Sequence, residues 1–223
     1  MKCRLLVQAC IKFFMGLLMF GMLLFWPAGT LRFWKAWLLA AVLFIPMFIA
    51  GIILLLKSPE LLSKRLNAKE TQNEQKQVIL FSLFMFIGGF LIAGFDFKYG
   101  WSKLPDWVSI AAAAVFVISY GLYGEVMREN AYLSRTIEVQ KGQKVIDTGL
   151  YGIVRHPMYF ATVLLFLSMP FVLGSVYAFL IFLIYPFILV KRIKNEEGVL
   201  KTELSGYTAY TKKVRYRLIP FIW

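Results

Sequence analysis

Long apolar blocks dominate this sequence and limit the folds that are open to it. Four of them, residues 11–26, 34–56, 78–95 and 107–124, carry almost no charged side chains. A helix needs about 20 residues to cross a bilayer, so each block predicts one membrane-spanning helix. A secretory signal is the competing interpretation of the first block, but the residues after Trp26 make a poor small-residue cleavage site and further spans follow. The hydrophobic fraction of 60% fits an integral membrane protein.

The last apolar block, residues 158–190, is too long for one ordinary span and short for two. Pro170, Gly174 and Ser175 interrupt it near its middle, which predicts a helical hairpin. With this hairpin, 21 of the 25 lysines and arginines fall on one side of the membrane. They lie in the N-terminal segment, residues 57–77, residues 125–155 and the C-terminal tail. Because positive charge collects in cytoplasmic loops, we expect an all-α polytopic bundle of five to six transmembrane segments with both termini in the cytoplasm.

We predict a single membrane domain over residues 1–223, in which residues 1–124 form a four-helix scaffold and residues 125–223 carry the chemistry. The polar residues 57–77 permit a short interfacial helix at Leu61, Leu62 and Leu66, although a solvated connector is the favoured interpretation. Gly88-Gly89 and the alanines at 111–114 predict places where helices pack closely.

The formal net charge of +13 would suggest nucleic-acid binding in a soluble protein. Here the basic loops face anionic lipid, and we find no nucleic-acid-binding element. Cys3 and Cys10 with a single histidine support neither a disulfide framework nor a metal site, so no metal is expected.

Residues 147–159 combine two glycines, the only histidine and a proline that opens an apolar run. Pro157 suits the first position of a helix, where its missing N–H would be unpaired anyway. His156 then lies at or next to the N-cap, where the helix end favours an anion. The simplest alternative is that His156 only caps the helix and Arg155 contacts lipid headgroups.

A second concentration of charge follows the hairpin. If residues 189–204 form a helix, Glu196 falls between Ile193 and Leu200 in an inward apolar stripe. Arg192 precedes Glu196 by four residues and so shares its face. The two either pair with each other or face a charged ligand, and such inward ionisable groups are functional candidates.

These residues and the C-terminal tail form one pattern: Gly149-x-Tyr151-x-x-x-Arg155-His156-Pro157-x-Tyr159, an apolar hairpin, Arg192-Ile193-x-x-Glu196-Glu197, then Tyr207-x-x-Tyr210 and Arg217-Leu218-Ile219-Pro220. The pattern resembles the isoprenylcysteine carboxyl methyltransferase family and its phospholipid N-methyltransferase relatives. The resemblance covers residues 125–223, and its two halves together are far more specific than either alone.

The resemblance implies an S-adenosylmethionine-dependent methyltransferase whose cofactor is enclosed on the cytoplasmic side, between the polar loop and the C-terminal helix. The cofactor contacts that it implies are Gln143, Lys144, Val145, Ile146, Tyr151, His156, Pro157, Met158, Tyr159 and Glu196. The catalytic residues that it implies are Arg192, Glu196 and Glu197. Of these, Arg192 would lie near the methyl-accepting group and bind the substrate.

The implied acceptor is lipidic or hydrophobic, first a carboxylate of the isoprenylcysteine type, with a phospholipid amine or a thiol as alternatives. A carboxylate is ionised near neutral pH and needs no general base, so Arg192 would orient it. An amine or thiol would lose a proton, with Glu196 or Glu197 as the candidate base.

Two other classes of protein remain open. Membrane sterol reductases, which use a nicotinamide cofactor, also resemble this region, although the Glu196-Glu197 pair favours the methyl donor. A non-catalytic membrane protein is the third alternative. With both termini expected in the cytoplasm and no prenylation context visible, a bacterial-type plasma (inner) membrane is favoured over the endoplasmic reticulum.

Overall fold

The computed structural model describes residues 2–66, 73–134, 137 and 139–223, and the regular structure in these ranges is helical. The elements are α1 (Lys2–Ala28), α2 (Trp34–Lys57), α3 (Pro59–Leu66), α4 (Asn73–Tyr99), α5 (Asp106–Glu129), a 3-10 turn (Gly149–Gly152), α6 (Pro157–Leu173), α7 (Val176–Phe182), α8 (Tyr185–Glu203) and α9 (Tyr207–Lys213).

Within the described residues, five stretches are long and apolar enough to cross a membrane: Arg4–Ala28, Trp34–Lys57, Lys76–Tyr99, Asp106–Glu129 and Val176–Glu203. α6 is a shorter apolar helix of 17 residues. The outer faces of the bundle expose large apolar side chains such as Phe14, Phe48 and Phe84. The hydrocarbon of a bilayer can cover such a surface, whereas its exposure to water would be unfavourable. The predicted polytopic all-α membrane bundle is confirmed.

α6 and the following arm of α7 and α8 form the predicted hairpin. Gly174 ends α6 with a φ of 74°, a left-handed conformation that suits glycine at the end of a helix. The returning arm packs antiparallel to α6, with ring centroids 4.5 Å apart for both Phe171–Phe179 and Phe166–Tyr185. The start of α6 therefore lies beside the second half of α8.

Aromatic side chains join the N-terminal helices to the hairpin in one apolar core. Phe182 of α7 packs edge-on against Phe86 of α4, with ring centroids 5.4 Å apart. Phe90, one turn further along α4, packs against Phe20 of α1 at 5.5 Å. The same core also contains Leu39 of α2 and Phe116 of α5, so all four N-terminal spans pack with the hairpin in one core.

The prediction of a solvated connector is wrong for residues 59–66, which form α3. Pro59 occupies its first position, and Leu61 and Leu62 are buried where α3 contacts α1 and α2. Burial of this small apolar face favours the helix over an extended connector. Residues 67–72 of the predicted connector lie outside the described residues.

Side-chain contacts bring the predicted basic segments together at one end of the bundle. The Lys12 ammonium of α1 contacts the end of α3. Lys64 of α3 donates to the Gln140 side chain at 2.5 Å, and Lys213 of α9 pairs with Asp147 at 2.6 Å. The four basic segments thus share one end, as their charges predict, while the side of the membrane that this end faces stays a prediction.

The two adjacent glycines of α4 provide a test of this packing. A Cβ atom on Gly89 would lie 2.3 Å from Cε2 of Phe182, whereas a Cβ on Gly88 has no described atom within 4 Å. We expect Gly89→Ala to lower the free energy of unfolding by about 1–3 kcal/mol through overpacking. Gly88→Ala should leave it unchanged or slightly higher. Thermal unfolding of both variants in one detergent measures the difference, and equal midpoints would contradict the α4–α7 contact.

Candidate active site

The start of α6 is held by the C-terminal segment of the chain. Pro157 takes the first helical position and His156 the N-cap, as predicted, but the His156 side chain makes no capping hydrogen bond. The backbone N–H groups of Arg155 and His156 donate to the carbonyls of Tyr216 and Arg217, both at 2.9 Å. Simple capping by His156 therefore does not describe this geometry, and its ring is directed to another partner.

Glu197 of α8 is that partner, and its buried carboxylate contacts Arg155, His156 and Arg217. Its Oε1 accepts a hydrogen bond from Arg155 Nε at 2.7 Å, and His156 Nε2 lies 3.3 Å from the same oxygen. Its Oε2 accepts from Arg217 Nε at 3.0 Å. Arg155 also donates to two carbonyls of the C-terminal segment at 2.8 Å. One carboxylate thus ties together the entrance to α6, α8 and the C-terminal segment.

Glu196, the neighbouring acid, faces a different environment. Its Oε2 accepts a hydrogen bond from the Tyr159 hydroxyl at 2.5 Å. The same hydroxyl accepts from Arg192 Nε at 2.8 Å, and the Arg192 guanidinium lies 5.8 Å from the centroid of the Tyr159 ring. Arg192 and Glu196, predicted to share a face of α8, are therefore joined through Tyr159 of α6.

A cavity lies between the loop after α5, the start of α6, α8 and α9. Arg192 lines it, and so does every cofactor residue predicted from the sequence except Pro157: Gln143, Lys144, Val145, Ile146, Tyr151, His156, Met158, Tyr159 and Glu196. Its further lining residues are Asn130, Tyr132, Leu133, Ser134, Ile137, Arg155, Val199, Leu200, Leu204, Tyr207 and Tyr210. Pro157 and Glu197 are not part of this wall.

Besides Tyr159, three buried phenols contribute to the described wall of the cavity: Tyr151, Tyr207 and Tyr210. Tyr210 donates to the carbonyl oxygen of Tyr151 at 2.7 Å, and Asn130 donates to the Tyr151 hydroxyl at 3.0 Å. The Tyr207 hydroxyl is buried and has no hydrogen-bond partner among the described residues. Burial raises the pKa of Tyr151, Tyr207 and Tyr210, so all three phenols stay neutral at physiological pH.

Glu129, at the end of α5, holds the turn that presents Tyr151. Both of its carboxylate oxygens accept from the Leu150 N–H, at 3.3 and 3.1 Å. Gly149 has a φ of 52°, and a Cβ there would lie 1.4 Å from the Glu129 carboxylate, so glycine alone leaves room for this contact. Sequence analysis missed Glu129 because its partner lies 21 residues further along the chain.

The loop that contains residues 143–146 is held from two directions. Gln140 donates its backbone N–H to the Gln143 side chain at 2.9 Å, and the Gln143 N–H donates to the Gln140 carbonyl at 3.0 Å. Lys64 of α3 donates to the Gln140 side chain from outside this turn. α3 therefore supports the loop over the cavity, a contact that no local sequence pattern indicates.

Glu197→Gln tests the role of the buried carboxylate because it removes the charge and keeps the shape. We expect the free energy of unfolding to fall by about 3–5 kcal/mol, since Arg155 and Arg217 lose a buried anion. Glu203→Gln, at the exposed end of the same helix, is the matched control and should behave as the unmodified protein. Circular dichroism during heating measures both, and a loss no larger than that of the control would contradict this role.

The curated proteins that the chain resembles include two sterol reductases. The chain is 30% identical over 91 residues to the Delta(14)-sterol reductase TM7SF2 of Mus musculus, a match that covers 40% of this chain and 22% of the relative. It is 24% identical over 135 residues to the Delta(14)-sterol reductase of Methylotuvimicrobium alcaliphilum, which covers 54% of this chain and 32% of the relative. The chain thus spans less than a third of the length of either relative.

The sequence profile of the isoprenylcysteine carboxyl methyltransferase (ICMT) family matches residues 110–202. This region begins within α5 and ends within α8, so it contains the hairpin, the start of α6 and the Glu196-Glu197 pair. The match confirms the resemblance drawn from the two-part motif. Over residues 110–202, therefore, the chain is similar to the isoprenylcysteine carboxyl methyltransferase family.

Proposed function

We propose that this protein is an S-adenosylmethionine-dependent membrane methyltransferase that acts on a hydrophobic acceptor. The observation that carries the proposal is that one cavity is lined by all but one of the residues expected to contact the cofactor. The family match over residues 110–202 supports a membrane methyltransferase in general. The identity of the methyl donor and of the acceptor belongs to the proposal.

The side chains of the cavity fit the proposed methyl donor. S-adenosylmethionine supplies a methyl group on a positively charged sulfonium and carries a charged amino acid at one end. Glu196 offers a carboxylate to a positive group, and the faces of Tyr151 and Tyr159 are suited to a cation. The buried Tyr207 hydroxyl lacks a partner among the described residues, and a ligand acceptor atom would remove that energetic cost.

The two acids have different parts in this proposal. Glu196 lines the cavity and is placed to attract the positive ligand or, with an amine or thiol acceptor, to receive a proton. Glu197 is engaged by Arg155, His156 and Arg217 and lies outside the wall, so we assign it to positioning the start of α6. Arg192 is placed to orient an anionic acceptor, with a carboxylate of the isoprenylcysteine type as the first candidate.

The positions of the basic segments support a cytoplasmic site. The N-terminal end of α1, α3, the loop after α5 and the C-terminal segment share one end of the bundle. By the positive-inside rule, an end that carries most of the basic residues is expected in the cytoplasm. We propose a plasma (inner) membrane location with both termini on the cytoplasmic side.

A nicotinamide-dependent reductase is the second candidate, because both curated relatives are described as Delta(14)-sterol reductases. A dinucleotide phosphate carries several negative charges and requires several cations. Among the described residues, the lysines and arginines that line the cavity are Lys144, Arg155 and Arg192, and the Arg155 guanidinium is engaged by Glu197 and two carbonyls. Glu196 in the same wall offsets one of the other two positive charges, so the described residues offer little excess positive charge for a dinucleotide phosphate.

Calorimetric titration in lipid nanodiscs distinguishes the two candidates. We expect saturable binding of S-adenosylhomocysteine and none of NADPH. S-adenosylmethionine and S-adenosylhomocysteine both carry an ammonium group that the Glu196 carboxylate would attract. Glu196→Gln should therefore weaken S-adenosylhomocysteine binding about tenfold, which corresponds to ~1.4 kcal/mol. Glu203→Gln is again the control. Saturable binding of NADPH alone would favour the reductase, and unchanged affinity in Glu196→Gln would remove Glu196 from the site.

Two tyrosine variants test whether the Tyr207 hydroxyl contacts a ligand. Tyr207→Phe removes a buried hydroxyl that lacks a partner among the described residues, so the ligand-free protein should be as stable as before or more stable by about 1 kcal/mol. Its affinity for S-adenosylhomocysteine should fall about fivefold or more. Tyr210→Phe loses the hydrogen bond to Tyr151 and should lower the stability of the ligand-free protein. Thermal unfolding with and without ligand measures both effects, and a Tyr207→Phe variant that binds normally would contradict a ligand contact.

A further inference from the structure

The Tyr159 hydroxyl lies between two charged side chains of α8. Its oxygen accepts a hydrogen bond from Arg192 Nε at 2.8 Å, and it donates its hydrogen to Glu196 Oε2 at 2.5 Å. The chemistry of the partners fixes these directions, because a guanidinium can only donate and a carboxylate can only accept. In the part of the chain that the structure describes, the two charges are thus joined through a phenol and not by a direct ion pair.

Direct pairing of Arg192 with Glu196 is the arrangement that their spacing favours. Residues four apart on a helix are neighbours on its surface, where opposite charges attract each other. Both residues are half-buried, so solvent would screen such a pair less than at an exposed surface. A direct pair would offset the charge of Glu196 and weaken the attraction of its carboxylate for a positive ligand in the cavity.

The ring of Tyr159 is held in place independently of its hydroxyl. It is buried at the start of α6 and stacks on the His156 ring, with ring centroids 5.6 Å apart. His156 in turn lies within reach of the Glu197 carboxylate. The contacts around Glu197 therefore fix the ring, and the phenolic oxygen is the atom that contacts both charges. A phenylalanine at this position would keep the ring and lose only that oxygen.

We infer that Tyr159 is a positioning residue whose hydroxyl prevents Arg192 from pairing directly with Glu196. A neutral phenol hydrogen-bonds to each group without cancelling its charge. The two groups thus stay side by side as separate charges, the carboxylate for a positive methyl donor and the guanidinium for an anionic acceptor. Without the hydroxyl, a small rotation of either side chain would bring them into contact. The two ligands rest on the proposed function, whereas the separation of the charges rests on the contacts alone.

Calorimetric titration of nanodisc-embedded variants with S-adenosylhomocysteine tests this role. We expect Tyr159→Phe to weaken binding about tenfold, because Arg192 then pairs with Glu196 and offsets its charge. Arg192→Met alone should change the affinity by less than about twofold. When Arg192→Met is added to Tyr159→Phe, the affinity should return to within about threefold of the unmodified protein, because the competing cation is gone.

Rescue by the second substitution distinguishes this role from the other roles that a buried hydroxyl can have. A hydroxyl that contacts the ligand, or that only holds the fold, is not replaced by the removal of a cation. A double variant that binds no better than Tyr159→Phe would overturn the inference, and so would a Tyr159→Phe variant that binds as the unmodified protein does. Tyr185→Phe is the matched control, because it removes another buried hydroxyl of the hairpin, 3.2 Å from Thr162 Oγ1. Its affinity should be that of the unmodified protein.

A measurement without ligand tests the separation of the charges independently of the methyl donor. The melting temperatures of Arg192→Met, Glu196→Gln and the two combined give the coupling between the two charges. We expect this coupling to be about 3 °C larger in the Tyr159→Phe background than with tyrosine, because the direct pair then forms. Equal coupling in both backgrounds would overturn the inference. If S-adenosylhomocysteine does not bind the unmodified protein, the methyltransferase proposal fails, and the coupling still decides whether the hydroxyl separates the charges.

Discussion

The buried carboxylate of Glu197 is the contact on which the geometry of the site depends. It joins three parts of the chain that are distant in sequence: the entrance to α6, the second half of α8 and the segment after α9. A charge in this environment is tolerated only because Arg155 and Arg217 neutralise it and His156 lies within reach. Since Arg155 also binds carbonyls of the C-terminal segment, the same cluster closes the end of the bundle.

The two neighbouring acids of α8 have different surroundings, one in contacts that hold the fold and the other in the cavity wall. Glu197 faces the cations that hold the fold, and Glu196, one residue earlier, faces the cavity with Arg192 and Tyr159. A helix turns by about 100° per residue, so adjacent positions naturally serve two different surfaces. The hairpin brings both surfaces to the start of α6, where the loop after α5 completes the cavity.

Local sequence patterns predicted much of this arrangement, but they could not predict contacts between residues that are distant in the chain. Apolar length and the interrupting Gly174 predicted the hairpin because both are local properties of the chain. The sequence predicted Glu196 in the inward stripe of α8, but Glu197 takes the buried position beside Leu189 and Ile193. Glu197 is favoured there because Arg155 and Arg217, which are remote in sequence, neutralise it. Glu129 and the contact of α3 with the loop also depend on remote partners, so no local pattern revealed them.

Transfer of labelled methyl groups in membranes tests the methyltransferase proposal most directly. Membranes that contain the protein are incubated with S-adenosylmethionine tritiated at the methyl group, and label in the extracted lipid is counted beside membranes that contain Glu196→Gln. We predict label in the lipid fraction from the unmodified protein, released by mild base if the product is a methyl ester, and little from the variant. Equal label in both, or none above membranes without the protein across carboxylate, amine and thiol acceptors, would contradict the proposal.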